Sequence, residues 1–282
     1  MQLSHLIVEP LVKMALLEDM GRAGDITTDS VIPAGAKAKV VIASREEGVI
    51  AGLDLAEAAF KTVDAALVVK RLKAEGSDVK KGDEIMSVEG SARAILTAER
   101  TALNFVGRLS GIATLTRKMV KATGNHKAKI AATRKTTPGL RAVEKYAVIV
   151  GGGTPHRYGL DDAILIKDNH IAMAGGIKIA LRRAKESVGH TVKIEIEVDT
   201  LAQLDEVLEE GADIVMLDNM SLEDMSAAVK KTAGRALVEA SGGVTLERIP
   251  AIAATGVDMI SSGAVTHSAP NFDVGLDFRS AA

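Results

Sequence analysis

Four strand-like runs begin 22 residues apart, near residues 192, 214, 236 and 258. Helical runs follow the first three, Leu201 to Glu209, Leu222 to Lys231 and Leu246 to Ala254. Two more strand-like runs begin near 128 and 163, and Ile177 to Val188 is a helical run leading into the series. A repeat this short has room for one strand, one helix and two tight turns. Regular βα units of that length build a parallel sheet, most simply a (β/α) barrel. Six strands are visible, and a seventh is expected in Lys145 to Val150 or elsewhere. The repeat leaves a faint internal echo, Gly211-Ala212-Asp213-Ile214-Val215-Met216 against Gly256-Val257-Asp258-Met259-Ile260-Ser261.

The chain before this series differs in kind. Residues 3–18 place Leu3, Leu6, Ile7, Leu11, Met14, Ala15 and Leu17 at helical spacing. Gly21 and Gly24 end that helix, and Asp25-Ile26-Thr27-Thr28 reads as a turn with a helix cap or as a functional element. Residues 38–43 and 68–72 read as strands with a helix, Asp54 to Val63, between them. Glu75 to Asp83 is a polar turn; its lysines lack the setting of a lipoyl or biotinyl carrier hairpin. Residues 91–122 are helical, with a break or kink expected near Ser110-Gly111. The expectation is an α/β sandwich over 1–110, a barrel over 111–268, and a tail, 269–282, that returns to the first domain.

Composition narrows the function. Hydrophobic residues make up 47% but aromatics only 2%, so the core is aliphatic and base-stacking platforms are not expected. A net charge of -2 argues against general nucleic-acid affinity. With no cysteine there is no disulfide frame and no thiolate nucleophile, which fits the cytoplasm. No apolar stretch is long enough to span a bilayer, and no signal peptide is visible at Met1-Gln2-Leu3-Ser4-His5.

Each barrel strand is expected to end in something polar, on the face where such folds place their chemistry. The first delivers Thr133, Arg134 and Lys135. The next delivers Lys167, Asp168, Asn169 and His170. Along 192–198, Lys193, Glu195 and Glu197 face one way and Ile194, Ile196 and Val198 the other. Glu197 and Asp218 sit on neighbouring strand ends, either as counter-ions for Lys135 and Lys167 or as ligands for ribose hydroxyls or Mg²⁺. His156 and Arg157 follow a triple glycine, Gly151 to Gly153, that permits sharp turns. The last two strands end in Ser241-Gly242-Gly243 and Ser262-Gly263-Ala264, whose small residues let backbone N–H groups approach a phosphate. His170 and Asn169 have a plainer reading as helix caps, and Arg100, beside Glu99, as a solvated arginine. No zinc-site spacing and no Gly-x-Ser-x-Gly elbow is present.

A polyanion site with a phosphate cradle, two carboxylates and two lysines has three uses. It can transfer a glycosyl group from a phosphorylated sugar, form a Schiff base on Lys135 or Lys167, or bind a phosphate ligand without chemistry. The cations exceed what an aldolase needs for one phosphate. A sensor does not account for the carboxylates among them.

The motifs Thr133-Arg134-Lys135-Thr136-Thr137-Pro138-Gly139-Leu140-Arg141, Glu144-Lys145-Tyr146-Ala147-Val148, Gly151-Gly152-Gly153, His156-Arg157-Tyr158-Gly159-Leu160 and Leu165-Ile166-Lys167-Asp168-Asn169-His170-Ile171 resemble those of quinolinate phosphoribosyltransferase, the decarboxylating nicotinate-nucleotide pyrophosphorylase. The resemblance extends to Asp25 to Thr28, Glu99 to Asn104, Glu195 to Val198, Leu217 to Asn219, Ser241 to Gly243 and Gly263 to Ser268. It implies an N-terminal α/β sandwich and an incomplete seven-stranded α/β barrel. The implied partners are quinolinate and 5-phosphoribosyl 1-pyrophosphate with Mg²⁺, in NAD biosynthesis. It further implies a homodimer with shared sites, a hexamer being compatible, in which Arg100 reaches the neighbour's quinolinate. Arg134, His156 and Arg157 are implied to hold quinolinate, and Lys135 and Lys167 to serve both substrates. Glu197 and Asp218 are implied to contact the ribose and Mg²⁺-pyrophosphate region, and Thr133 is expected among the substrate-binding residues. Ser241, Gly242, Gly243, Ser262, Gly263 and Ala264 are implied to cradle the 5-phosphate. One departure is Pro155, where the common pattern has asparagine; a related branch of another acceptor often has proline there but lacks the Lys-Asp-Asn-His run present here.

Overall fold

A computed structural model describes residues 3–279, the Arg279 side chain excepted. The chain divides into two compact units. The first comprises residues up to Leu115, Thr137–Gly152 and the stretch from Ser268; the second comprises Thr116–Thr136 and Gly153–His267.

The first unit opens with α1 (His5–Met20), where the Ser4 hydroxyl accepts the Leu6 N–H, and α2 (Ile26–Val31). Asp25 Oδ1 accepts the Thr28 N–H at 2.9 Å, so Asp25 to Thr28 is a helix cap. Then come β1 (Lys37–Ser44), β2 (Gly48–Val49), α3 (Leu53–Val63), β3 (Val68–Arg71), β4 (Asp78–Val79) and β5 (Glu84–Ser91). The C-terminal β12 (Val274–Arg279) joins β1, β5 and β3 in an antiparallel sheet of order β12-β1-β5-β3, with Val40 opposite both Val88 and Phe278, while β2 and β4 pair with each other. Leu53, Leu55, Ala56, Ala59 and Phe60 of α3 are buried. Because the N-cap of α3 is Gly52, the cap comes from elsewhere: Glu75 accepts the Gly52 and Leu53 N–H groups at 2.6 and 3.0 Å. Burial raises the Glu75 pKa against the pull of those two donors.

α4 (Ala92–Ala122) runs unbroken through Ser110-Gly111, contrary to the expected kink. Gly111 serves close approach instead. A Cβ there would lie 1.9 Å from the Pro270 carbonyl oxygen, and one at Gly107 would lie 2.9 Å from that of Phe272. The expected strand at 145–150 is instead part of a helix, α5 (Arg141–Val150), whose Val143, Tyr146, Ala147 and Val148 are buried. The barrel expected over 111–268 is accordingly interrupted, with Thr137–Gly152 folding into the first unit. There the buried Glu144 accepts from Arg108 at 2.8 Å and from the Thr137 N–H at 3.0 Å.

The second unit alternates β6 (Lys129–Ala131), β7 (Ile164–Ile166), α6 (Asp168–Ala174), α7 (Ile177–Ser187), β8 (Ile194–Val198), α8 (Leu201–Glu210), β9 (Ile214–Asp218), α9 (Leu222–Thr232), β10 (Leu237–Ser241), α10 (Ile249–Ala254), β11 (Met259–Ser261) and α11 (Ala264–His267). Its sheet is parallel throughout, in the order β6-β11-β10-β9-β8-β7. The seventh stave is reduced to one residue. Thr154 bridges in parallel to Ala131, donating to the Ile130 carbonyl at 2.8 Å and accepting the Ala132 N–H at 2.9 Å. The Gly-x-Asp echo has a structural meaning. Asp213 accepts the Ile194 N–H and Asp258 the Val238 N–H, each at 2.9 Å, so each aspartate clamps the start of the neighbouring strand. Lys193 and Lys127 complete the two clamps.

Candidate active site

Alternation along the parallel strands turns every second side chain inward. Leu165 and Lys167 come from β7 and its end, Glu197 from β8, Met216 and Asp218 from β9, Glu239 and Ser241 from β10, and Ser261 from β11. Together with Thr133, Arg134, Lys135, His156, Arg157, Asn219, Gly242 and Gly243 they line one cavity of about 610 Å³. The sheet is therefore curled around its inner face. Glu195 and Glu239, on strands separated by β9, both come within 3.4 Å of His156 Nε2.

The cations are held unequally. Arg134 Nε is buried without a hydrogen-bond partner, and Lys135 has no ion pair among the described residues. An unpaired buried donor such as Arg134 Nε is rare, because desolvation is not repaid unless something else binds there; Lys135 is exposed. Lys135 is set by its backbone, whose N–H donates to Thr133 Oγ1 and whose carbonyl accepts from Thr266 Oγ1. Lys167 donates to Glu197 Oε2 at 2.8 Å, with Glu197 buried and Lys167 half-exposed. The Arg157 guanidinium donates to the Ala163 carbonyl, and burial followed by the neighbouring Arg134 charge lowers its pKa.

His156 adopts a left-handed backbone, φ 54°, unusual for a non-glycine residue. Burial alone would lower its pKa; the contacts to Glu195 and then Glu239 override it and push it up to about 9. The Arg157 N–H donates to Nδ1 at 2.8 Å and favours an unprotonated Nδ1. A cationic ring would carry a proton on both nitrogens and would have to give up that bond; with it in place, Nε2 is the nitrogen whose N–H faces the two glutamates. The Glu195 pKa is raised, chiefly by burial.

The turn after β10 is built for backbone approach. A Cβ on Gly242, at φ 86°, would lie 2.2 Å from Asn219 Oδ1. Asn219, itself at φ 51°, donates its N–H to the Ser241 carbonyl and its amide to Asp218 Oδ2. Arg248 braces the Gly243 carbonyl at 2.7 Å. In the turn after β11 the cavity wall is Ser261, while Ser262 is buried and its N–H donates to the Ala131 carbonyl. A Cβ on Gly263 would lie 2.8 Å from the Lys135 side chain, and Ala264 begins α11.

The structure thus brings Thr133, Arg134, Lys135, His156, Arg157, Lys167, Glu197, Asp218, Ser241, Gly242 and Gly243 together, with Gly263 against Lys135. Arg100 is exposed on α4 in the first unit. His170 is a cap, its Nδ1 accepting the Lys167 N–H at 2.9 Å. Sequence reasoning missed Glu239, although counting back two residues from Ser241 puts it on the same face. Among the described residues the one group of three or more His, Cys, Asp or Glu with ligand atoms close enough to share an ion is His156, Glu195 and Glu239, within 4.8 Å. No helix among those residues is long and apolar enough to cross a membrane.

The family model for the quinolinate phosphoribosyl transferase N-terminal domain matches residues 25–110, and that for the C-terminal domain matches 112–277. A probable nicotinate-nucleotide pyrophosphorylase [carboxylating] of Bacillus subtilis (strain 168) is 42% identical over 98% of this chain and 94% of its own length. A mitochondrial quinolinate phosphoribosyltransferase [decarboxylating] 2a of Nicotiana tabacum is 43% identical, covering 94% of this chain and 80% of its own. The solved nicotinate-nucleotide pyrophosphorylase of Francisella tularensis superposes with a TM-score of 0.94 at 41% identity, over 99% of this chain and 98% of that one. Family models and relatives agree, and the chain belongs to the quinolinate phosphoribosyl transferase family.

Proposed function

We propose that this cavity transfers the phosphoribosyl group of 5-phosphoribosyl 1-pyrophosphate to quinolinate with decarboxylation, giving nicotinate mononucleotide, pyrophosphate and CO₂, a step of NAD biosynthesis in the cytoplasm. The observation that carries the reading is the unpaired Arg134 Nε and Lys135, set among further cations and two carboxylates in one cavity. A single phosphate does not need so many cations; two polyanionic substrates bound side by side do.

Arg134, Arg157 and His156 take the two acceptor carboxylates. Lys135 and Lys167 stand between acceptor and donor and screen their repulsion. The 241–243 turn and Gly263 and Ala264 at the start of α11 offer backbone N–H groups to the 5-phosphate, the Ser262 N–H being taken by the Ala131 carbonyl. The C1–O bond to pyrophosphate breaks first, leaving positive charge on the ribosyl centre, which Glu197 and Asp218 stabilise. The pyridine nitrogen then attacks C1 and becomes cationic. The ring can now accept the electron pair released when the bond to the 2-carboxylate breaks, and the carbon left behind takes a proton from water. The protein supplies position and charge, and no dedicated acid or base is required.

Glu197 and Asp218 each have one oxygen engaged by a neighbour, Lys167 and Asn219 respectively. Their other oxygens are hard ligands of the kind Mg²⁺ takes when it also holds substrate phosphates. In the proposal Mg²⁺ enters with the donor pyrophosphate. The working assembly is a homodimer in which Arg100 serves the partner's acceptor.

Calorimetry on the acceptor tests the assignment. Quinolinate should bind at least ~100-fold more tightly than nicotinate, which lacks one carboxylate, at the cost of a buried charge-assisted pair. Equal affinity for the two would remove the acceptor role from Arg134 and Arg157.

A further inference from the structure

The segment that carries Lys135 has no regular structure to hold it. β6 ends at Ala131, and residues 132–140 are neither helix nor strand. The Lys135 backbone is fixed instead by two threonine hydroxyls. Thr133 Oγ1 accepts its N–H at 3.0 Å, but Thr133 belongs to the same segment and moves with it. Thr266 Oγ1 donates to its carbonyl at 2.7 Å from α11, 131 positions further along the chain. Thr266 is fully buried.

A helical threonine commonly turns its hydroxyl back to the carbonyl three or four residues earlier. Here that carbonyl, of Gly263, is 3.0 Å away. It already accepts the Thr266 and His267 N–H groups at 3.1 and 3.0 Å, which occupies both its lone pairs. The hydroxyl proton therefore goes to Lys135. Gly263 also makes room for the lysine stem. Its φ is not positive, so its backbone does not require glycine. A Cβ there would lie 2.8 Å from Lys135 Cδ and 3.0 Å from His267 Nε2.

The two lysines of the cavity are thus held in different ways. Lys167 is held through its charge, by Glu197 at 2.8 Å. Lys135 has no ion pair among the described residues and is held through its backbone and stem. A carboxylate partner would also fix an ammonium, but it would cancel part of the attraction for an anion.

We propose that Thr266 is a positioning residue for Lys135: its buried hydroxyl anchors the lysine by the carbonyl, so that the ammonium is placed at the cavity with its charge uncompensated. This rests on the reading above of Lys135 as shared between the substrates and adds a residue to it.

The test is a double-mutant cycle on ligand affinity, measured by calorimetry so that no turnover is needed. Quinolinate and the Mg²⁺ complex of 5-phosphoribosyl 1-pyrophosphate are titrated separately into wild type, Thr266→Val, Thr266→Ser, Lys135→Ala and Thr266→Val with Lys135→Ala. Chemical denaturation confirms that each variant is folded. Valine keeps the shape and removes the hydroxyl, and we expect Thr266→Val to weaken both ligands about 5- to 10-fold. Serine keeps the hydroxyl and should stay within about twofold of wild type. In the Lys135→Ala background the 135 carbonyl remains but the ammonium is gone, and there Thr266→Val should change neither affinity by more than about twofold. A merely structural role for Thr266 would weaken binding as much with Lys135 absent as with it present, and that result overturns the proposal. Unchanged affinities in Thr266→Val overturn it too.

A second readout needs no ligand. In protein labelled at the lysine Cε, the Lys135 resonance is assigned by its loss in Lys135→Ala. It should stand apart from those of freely exposed lysines in wild type and Thr266→Ser, and merge with them in Thr266→Val. A Lys135 resonance unmoved by Thr266→Val contradicts the anchor. Failure of the substrate reading looks different: wild type then binds neither substrate, while the Lys135 resonance still moves in Thr266→Val.

Discussion

At the residue scale the informative side chains are those the protein leaves without a partner. Arg134 has a buried, unbonded Nε, and Lys135 is fixed by its backbone but carries no ion pair among the described residues. Arg134→Lys keeps the charge and loses the planar fork; the KM for quinolinate should rise about 10- to 100-fold with a smaller change for the donor. Lys135→Ala should lower kcat/KM at least ~100-fold for both substrates, because one ammonium screens both anions. Steady-state kinetics with each substrate varied in turn would separate the two, and a Lys135→Ala effect confined to one substrate would end its shared role. These cations were legible in the sequence because they follow short apolar runs, where parallel strands end. Glu239 was not, because a glutamate inside Leu237-Val238-Glu239-Ala240 looks like an isolated polar residue until the curl of the sheet brings it to His156. The 3.4 Å approach of side chains two strands apart is information only the fold contains.

At the element scale two features hold the staves in place. The Gly-x-Asp repeat puts Asp213 and Asp258 before β9 and β11, where Asp213 accepts the N–H of Ile194, the first residue of β8, and Asp258 that of Val238, the second residue of β10. Asp213→Ala strips the Ile194 N–H and Lys193 of their acceptor and should cost about 1–3 kcal/mol, read from chemical denaturation. A cost under ~0.5 kcal/mol would make the echo incidental. Gly111 is the other feature. Glycine in a long helical pattern suggests a break, and the sequence alone cannot separate that from close packing, since both require the missing Cβ. The structure decides for packing, with the Pro270 carbonyl where a methyl would be. Gly111→Ala should therefore destabilise the chain by about 1–3 kcal/mol through overpacking, although alanine favours the helix by about 1 kcal/mol. A stabilised variant would restore the kink reading. The same ambiguity explains Lys145 to Val150. A short apolar run reads equally as strand or helix, and burial of one face in the first unit makes it α5.

At the scale of the whole molecule the sequence showed the regular half better than the irregular one. The 22-residue spacing specified the parallel sheet, since short βα units have few other solutions. It could not show that Thr137–Gly152 leaves the barrel series for the first unit, because that depends on Arg108 and Glu144 meeting across 36 positions. Arg100 tests the proposed assembly. It is exposed on α4, and Arg100→Ala should fold normally yet lose nearly all turnover. Mixed with inactive Lys135→Ala and allowed to exchange, it should recover about one quarter of wild-type activity, since half the dimers then carry one intact site. No recovery after proven exchange would place Arg100 outside the partner's site. The central claim is the reaction itself. Purified protein given quinolinate, 5-phosphoribosyl 1-pyrophosphate and Mg²⁺, with nicotinate as competitor, should yield nicotinate mononucleotide by mass spectrometry and release one CO₂ per product. With carboxyl-labelled quinolinate the label should leave as CO₂ from the 2-position. Product from nicotinate alone, or bound donor with no product from either acceptor, would contradict the account and direct attention to Pro155 and the acceptor loop.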